Sequence, residues 1–252
     1  MPGEKGFTII EIVAVLTITA ILLAGMVPMG FQYLESRREK ATRQEIREIY
    51  NAIFGNPEKG DFGYIGDVGA FPSSIDDLIA KPGGVSSFAF HTNSVGYGWR
   101  GPYLDKDTGE LTDGWGNEYD YGVEEAGQLR SPGPDKDFST TSDNIIFPYV
   151  STGGAIEVNG TLQITAFVND VPNPQGTTVE VYYASDGTEN ATPLADSTHL
   201  DGFKFDTHHG IHAVKVTHVS DTTTTKLVNV QVIGGRQVSE EIFIRTSAVV
   251  NP

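Results

Sequence analysis

Gly6-Phe7-Thr8-Ile9-Ile10-Glu11 opens an apolar run that sets the terms for the rest of the chain. From Ile12 to Phe31 there is no charged side chain, so Glu11 is a lone carboxylate at the edge of that run. Wound as a helix, a stretch of this length crosses a hydrocarbon layer of about 30 Å. An acid inside such a helix costs about 2.5–3.5 kcal/mol at its centre, which marks Glu11 as a functional residue. The leader, Met1 to Gly6, is polar and ends in glycine.

An ordinary secretory signal has a shorter apolar region, about 7–15 residues, followed by a small-residue cleavage site. Here the run is longer and the polar segment precedes it. A plain membrane anchor gives Glu11 no role. A lipoprotein is excluded because there is no cysteine to acylate. Lys5 is the only base before the run, while Arg37, Arg38 and Lys40 follow it. A positive-inside count alone would therefore leave the C-terminal part in the cytoplasm. A resemblance of residues 6–11 to a signal read by dedicated processing machinery outweighs that count.

The chain has 252 residues and a formal net charge of -16. Acids and bases balance through Gly55, so the acidic surplus lies in the later part. Such a surface argues against nucleic-acid binding and suits an exported face or cation binding. Zero cysteines rules out disulfides, thiolate metal sites and a cysteine nucleophile.

Residues 7–55 read as one long helix, apolar all round at first and amphipathic from Tyr33. Leu34, Ala41, Ile46, Ile49, Ala52 and Ile53 line one face, and Glu39 pairs with Arg43 at i,i+4. Pro28 should bend or locally melt the helix, helped by Gly25 and Gly30. Gly55-Asn56-Pro57 stops it. Further on, Ala70 to Lys81 reads as a short helix capped by Ser73 or Ser74, with Asp76 and Asp77 in its first turn. Pro82-Gly83-Gly84 ends that helix. Next come Trp99-Arg-Gly-Pro-Tyr-Leu104, a hairpin turn at Asp105 to Gly109, Asp113-Gly-Trp-Gly-Asn-Glu-Tyr119, and a loop from Arg130 to Ile145.

Several of these elements carry a family resemblance. Gly6-Phe7-Thr-Ile-Ile-Glu11 resembles the class III signal of type IV pilins and type II secretion pseudopilins. The resemblance implies cleavage after Gly6 by a prepilin peptidase and methylation of Phe7. It implies pairing of Glu11 with the Phe7 amine of a neighbouring subunit, and a helix-bending role for Pro28. Residues 1–150 look most like the major pseudopilin of type II secretion, through Trp-Gly-Asn-x-Tyr and Ser-x-Gly-x-Asp. This chain has Gly114 where that family usually has proline, and Asp143-Asn144 where it has two acids.

The resemblance also implies calcium in the 130–145 loop. Ca²⁺ takes six to eight oxygens from carboxylates and carbonyls. Asp135 and Asp143 would supply carboxylates and Asn144 an amide oxygen. Carbonyls near Arg130, Ser131 and Ile145 would complete the shell, with Asp137 as a substitute. Asn144 lowers the ligand charge and hence the expected affinity. Asp105 to Glu110 lacks most of an EF-hand loop and reads as a turn.

Residues 151–252 change character. Ser151 to Gly154 is a linker. Alternating runs follow at 156–158, 162–168, 178–183, 211–217, 226–233 and 241–245, separated by turns such as Asp186-Gly187. Short alternating strands at this spacing indicate an antiparallel β-sandwich. The expected class is α+β: leader 1–6, membrane and assembly helix 7–55, an antiparallel-sheet pilin domain 56–150, and an immunoglobulin-like or transthyretin-like sandwich 151–252. His208, His209, His212 and His218 read as solvated or hairpin residues rather than metal ligands. The sequons at Asn159 and Asn190 mark surface loops. No nucleophile–base pair, phosphate loop or catalytic carboxylate pair is present, so no enzymatic activity is expected.

The expected product is a homopolymeric helical filament, either a periplasmic pseudopilus or a surface pilus. Its subunit is held in the inner membrane as a precursor and handled there by an assembly platform and its ATPase. A membrane-tethered binding module or minor tip pilin, whose sandwich recognises a ligand, is the alternative.

Overall fold

The computed structural model describes residues 6, 8–90, 95–107, 111–140, 142–148, 156–194, 202–219 and 221–246. Helix α1, Ile9–Phe54, is the spine. Thr8 caps it through its hydroxyl, which accepts from Glu11 N–H at 3.3 Å. Gly55, at φ 72°, ends it by donating its N–H to Asn51 O at 2.7 Å. The helix runs unbroken through Pro28, so the expected local melting is not seen. The buried face begins only at Thr42 and continues through Ile46, Ile49, Ala52, Ile53 and Phe54. Leu34 and Ala41, expected on that face, are exposed, because they sit about a quarter turn away from the stripe made by Thr42, Ile46, Ile49 and Ile53.

The first globular part packs on this face. A 3₁₀ turn at Pro57–Lys59 leads into α2, Gly63–Val68. A second 3₁₀ turn, Ile75–Leu78, carries a reciprocal capping box between Ser74 and Asp77, shorter than the helix expected over 70–81. Small antiparallel sheets follow: β1 (Ala89–Phe90) with β2 (Gly96–Tyr97), and β3 (Asp120–Tyr121) with β4 (Leu129–Ser131) and β5 (Ile145–Phe147). Ile46, Ile49, Ile53, Leu78, Leu129 and Ile145 are buried together in one core. The turn expected at 105–109 runs into residues outside the described set.

The second part is two facing sheets. One orders β10 (Phe203–His208), β6 (Asn159–Val168) and β13 (Gln237–Ile244), with β7 (Val171–Pro172) also on β6. The other orders β12 (Asp221–Val232), β11 (Gly210–His218), β8 (Thr177–Ser185) and β9 (Thr188–Leu194). Leu162, Ile164, Val181, Phe205, Val214, Val230 and Ile242 come from both sheets and share one core, as period-two alternation requires. Pairing is antiparallel except for β6 with β13, which run parallel. Residues 156–158 are not a strand, and the linker at 151–154 lies outside the described residues. The sequons fall on strands rather than loops. Asp186 and Gly187, both at positive φ, form the two-residue turn between β8 and β9.

The two parts meet at α2. Gly187 donates to Val68 O at 2.7 Å, and His209 Nε2 donates to Phe54 O at 2.8 Å. Val95, Tyr182 and Ala213 are buried together across the junction. His209 sits where the chain leaves one sheet and enters the other, between β10 and β11. His209, His212 and His218 are buried rather than solvated, because each N–H finds a carbonyl: Phe54, His208 at 2.6 Å and Gln175 at 3.0 Å.

Burial pushes the His212 imidazole down to about 4. Above the unfolded value of 6.5 the ring is neutral in both states and adds no pH dependence. As pH falls from 6.5 towards 4, the unfolded chain takes a proton that the folded chain refuses. Stability therefore falls, by up to about 3 kcal/mol. The difference in melting temperature between wild type and His212→Gln, which keeps a donor for His208 O, should shrink or invert between pH 7 and pH 4. A difference constant with pH would contradict this assignment.

Candidate functional site

The apolar half of α1 carries the first site. Its most apolar window has a mean hydropathy of 2.5 and none of it is covered by the rest of the chain. Ile9 is 83% exposed, Ile21 69% and Phe31 63%. Such a surface is far larger than the apolar patches soluble monomers tolerate, so it belongs in lipid or against other helices. By length and composition α1 can cross a membrane. Glu11 lies in its first turn, next to the positive end of the helix dipole. Gly6 is exposed with open space around its Cα. Phe7 lies outside the described residues.

The second site is the loop behind the helix, and Asp113 organises it. This carboxylate is 4% exposed. Its Oδ1 accepts from Trp115 N–H at 2.9 Å and Asn117 N–H at 2.8 Å. Its Oδ2 accepts from Asn117 Nδ2 at 3.0 Å and Ser131 Oγ at 2.7 Å. The same segment is riveted to α1. Gly114 donates to Thr42 Oγ1 at 2.8 Å, Trp115 Nε1 to Glu35 Oε2 at 2.7 Å, and Tyr119 OH to Glu45 Oε2 at 2.7 Å. A Cβ on Gly114 would come within 2.5 Å of Arg38 O, and proline there would have no N–H for Thr42. The departure at position 114 thus has a local reason.

The expected calcium ligands divide into two groups. Asp143 Oδ1 and Asn144 Oδ1 are buried and have no hydrogen-bond partner. Asn144 Nδ2 donates to Phe138 O at 3.0 Å, which fixes the amide and leaves its oxygen unpaired. These two orphaned oxygens are the hard donors a Ca²⁺ ion takes. Asp135 and Asp137 each cap a local turn, accepting from Asp137 N–H and Ser139 N–H, both at 2.9 Å. The Ser139 N–H and hydroxyl hold Asp137 below the usual carboxylate range. The main-chain carbonyls expected near Arg130, Ser131 and Ile145 belong to β4 and β5, which pair with each other at Ser131 and Ile145, while the side chains of Ser131 and Arg130 are held by Asp113 and Glu124. Among the described residues no three His, Asp or Glu side chains converge as a ready metal cluster. The fit to a cation rests on Asp143 and Asn144. In the sequence Asp113 is only the first residue of the Asp113-Gly-Trp-Gly-Asn-Glu-Tyr119 motif. Its hub role had no signal beyond the Asp-x-x-x-Asn spacing, which lets one carboxylate accept both the backbone and side chain of Asn117.

Two comparisons bear on these sites. Residues 1–27 match the family described as the prokaryotic N-terminal methylation motif. The chain is also 26% identical over 126 residues to the type II secretion system core protein G of Xanthomonas campestris pv. campestris. That alignment covers 50% of this chain and 73% of the relative. Together they support a pilin-like or pseudopilin-like chain, with the methylation motif on the segment the structure leaves bare. Both point to a structural protein rather than a catalyst.

Proposed function

We propose that this chain is the structural subunit of a type IV-pilin-like filament. A prepilin peptidase cleaves it after Gly6 and methylates Phe7. It waits in the inner membrane and is polymerised there by an assembly platform and its ATPase, into a periplasmic or surface filament. The observation that carries this reading is the uncovered apolar half of α1, with Glu11 in its first turn and a buried face that starts only at Thr42. Packed against identical helices, that surface is buried, and Glu11 gains the Phe7 amine of a neighbour as its partner. A charge that is costly in lipid and paired in the filament selects one subunit register. Glu11→Ala should therefore insert in the membrane at wild-type level yet lose most filament in a sheared-cell fraction. Normal filament yield from that variant would remove the role.

The same reading includes calcium at Asp143 and Asn144, whose unpaired oxygens support it. A bound ion would tie the 133–135 turn to the chain before β5. With calcium at a hundred times its dissociation constant, linkage adds about 2.7 kcal/mol. EGTA should lower the melting temperature of the wild type and leave Asp143→Ala unchanged. An identical curve for the wild type with and without EGTA would exclude the ion.

A further inference from the structure

Beyond Phe31, α1 has two faces. Thr42, Ile46, Ile49 and Ile53 turn inward. Arg37, Lys40, Gln44 and Arg47 recur at i, i+3, i+7 and i+10, which places them on the opposite face, and all are exposed. Their basic neighbours are already used. Arg38 pairs with Glu35 at 3.5 Å and Arg43 with Glu39 at 2.8 Å. Among the acids on the same stretch, Glu45 pairs with Lys106, and Glu48 accepts from Gln44 at 2.9 Å. Among the described residues, no acid lies within ion-pair distance of Arg37, Lys40 or Arg47. Arg37 only lies over the Tyr33 ring, at 5.6 Å. The stripe is about 15 Å long at 1.5 Å per residue.

Charge complementarity indicates what covers it. Residues 1–55 are neutral overall, so the whole formal charge of -16 lies on residues 56–252. Heads of that charge repel when packed side by side, unless cations lie between them. We propose that Arg37, Lys40 and Arg47 form a docking stripe for the acidic head of a second copy, seated at the cavity lined by Asp76, Glu118, Tyr119 and Tyr121. That cavity holds about 340 Å³ and opens to solvent. Asp76 and Glu118 are exposed and, among the described residues, unpaired. Tyrosine rings beside two carboxylates suit a Lys or Arg side chain. Stripe and cavity are different patches of one chain, so the contact is head-to-tail, the kind that builds an open filament wherever its rotation does not close into a ring. This contact rests on the filament reading above.

The test is charge exchange in the full chain, expressed with its assembly machinery and read as sheared-filament yield against membrane-held, methylated subunit. Lys40→Glu with Arg47→Glu should lower yield tenfold or more at an unchanged subunit level. Asp76→Lys with Glu118→Lys should do the same. All four together should restore yield to within about threefold of wild type. Unchanged yield from either pair, or no recovery in the fourfold variant, would overturn the contact. So would a stripe variant that assembles normally but loses retention on phosphatidylglycerol vesicles, since that assigns the stripe to lipid headgroups. Wild type that makes no filament at all would instead bring down the filament reading itself.

Discussion

Asp113→Ala should lower the stability of the head by about 4 kcal/mol. The carboxylate is buried and accepts four hydrogen bonds, from Trp115 N–H, both Asn117 donors and Ser131 Oγ. Alanine leaves those donors without their acceptor in a place water does not reach, and each unsatisfied buried donor costs about 1–3 kcal/mol. Relaxation of the turn recovers part of the sum. The damage is not local, because Asp113 holds the 114–119 turn, and that turn grips α1 at Thr42, Glu35 and Glu45. The melting temperature should fall by about 10 °C. Asp113→Asn keeps one acceptor oxygen and should fall about half as far. A loss under about 1 kcal/mol in the alanine variant would mean that the turn is held by its contacts with α1 and not by the carboxylate.

Gly69→Ala should cost about 3 kcal/mol and loosen the junction between the two parts. Gly69 has φ 77°, where an L side chain costs about 1–2 kcal/mol. A Cβ there would lie 2.0 Å from Ala184 O, and that oxygen belongs to the β8 backbone, which cannot swing away as a side chain would. Either α2 or β8 must move, and the Val68 O bond to Gly187 N–H is the first to go. Overpacking of this kind typically costs about 1–3 kcal/mol. Protease should then cut between the two parts more readily than in wild type. Gly83→Ala, with nothing within 4 Å and no strained φ, is the matched control and should be neutral. Equal protease resistance in both variants would show that α2 is not the wedge.

What could be read from residues alone follows from how local each signal is. The run from Gly6 to Phe31 and the period of Ile46, Ile49 and Ile53 announce α1, because both are local patterns. Alternation located β6, β8, β11 and β12. It is equally visible in Phe203-Lys-Phe-Asp-Thr-His208, which forms β10 outside the expected runs. β9 has no such pattern, since Thr188-Glu-Asn-Ala-Thr-Pro-Leu194 is polar and is a strand because the Asp186-Gly187 turn folds it onto β8. α2 carries two glycines and is too short to persist alone, so only its packing against Phe54, β8 and β11 makes it a helix. The parallel pairing of β6 with β13 joins residues 76 positions apart, such as Thr161 and Gln237, beyond any local pattern. At the loop, Asp143 and Asn144 were legible as oxygen donors, while the commitment of the Ser131 hydroxyl to Asp113 was not. The burial of three histidines was missed because a His-rich stretch looks solvated until its carbonyl partners are known.

The most direct measurement is mass spectrometry of the N-terminus of this chain in material sheared from intact cells. A chain beginning at methylated Phe7 in that fraction is the expected result, and it would establish processing and a surface filament together. The same N-terminus found only in membrane and periplasm would restrict the filament to a periplasmic pseudopilus. A chain still beginning at Met1 in every fraction would contradict the filament reading and leave a membrane-tethered two-part protein.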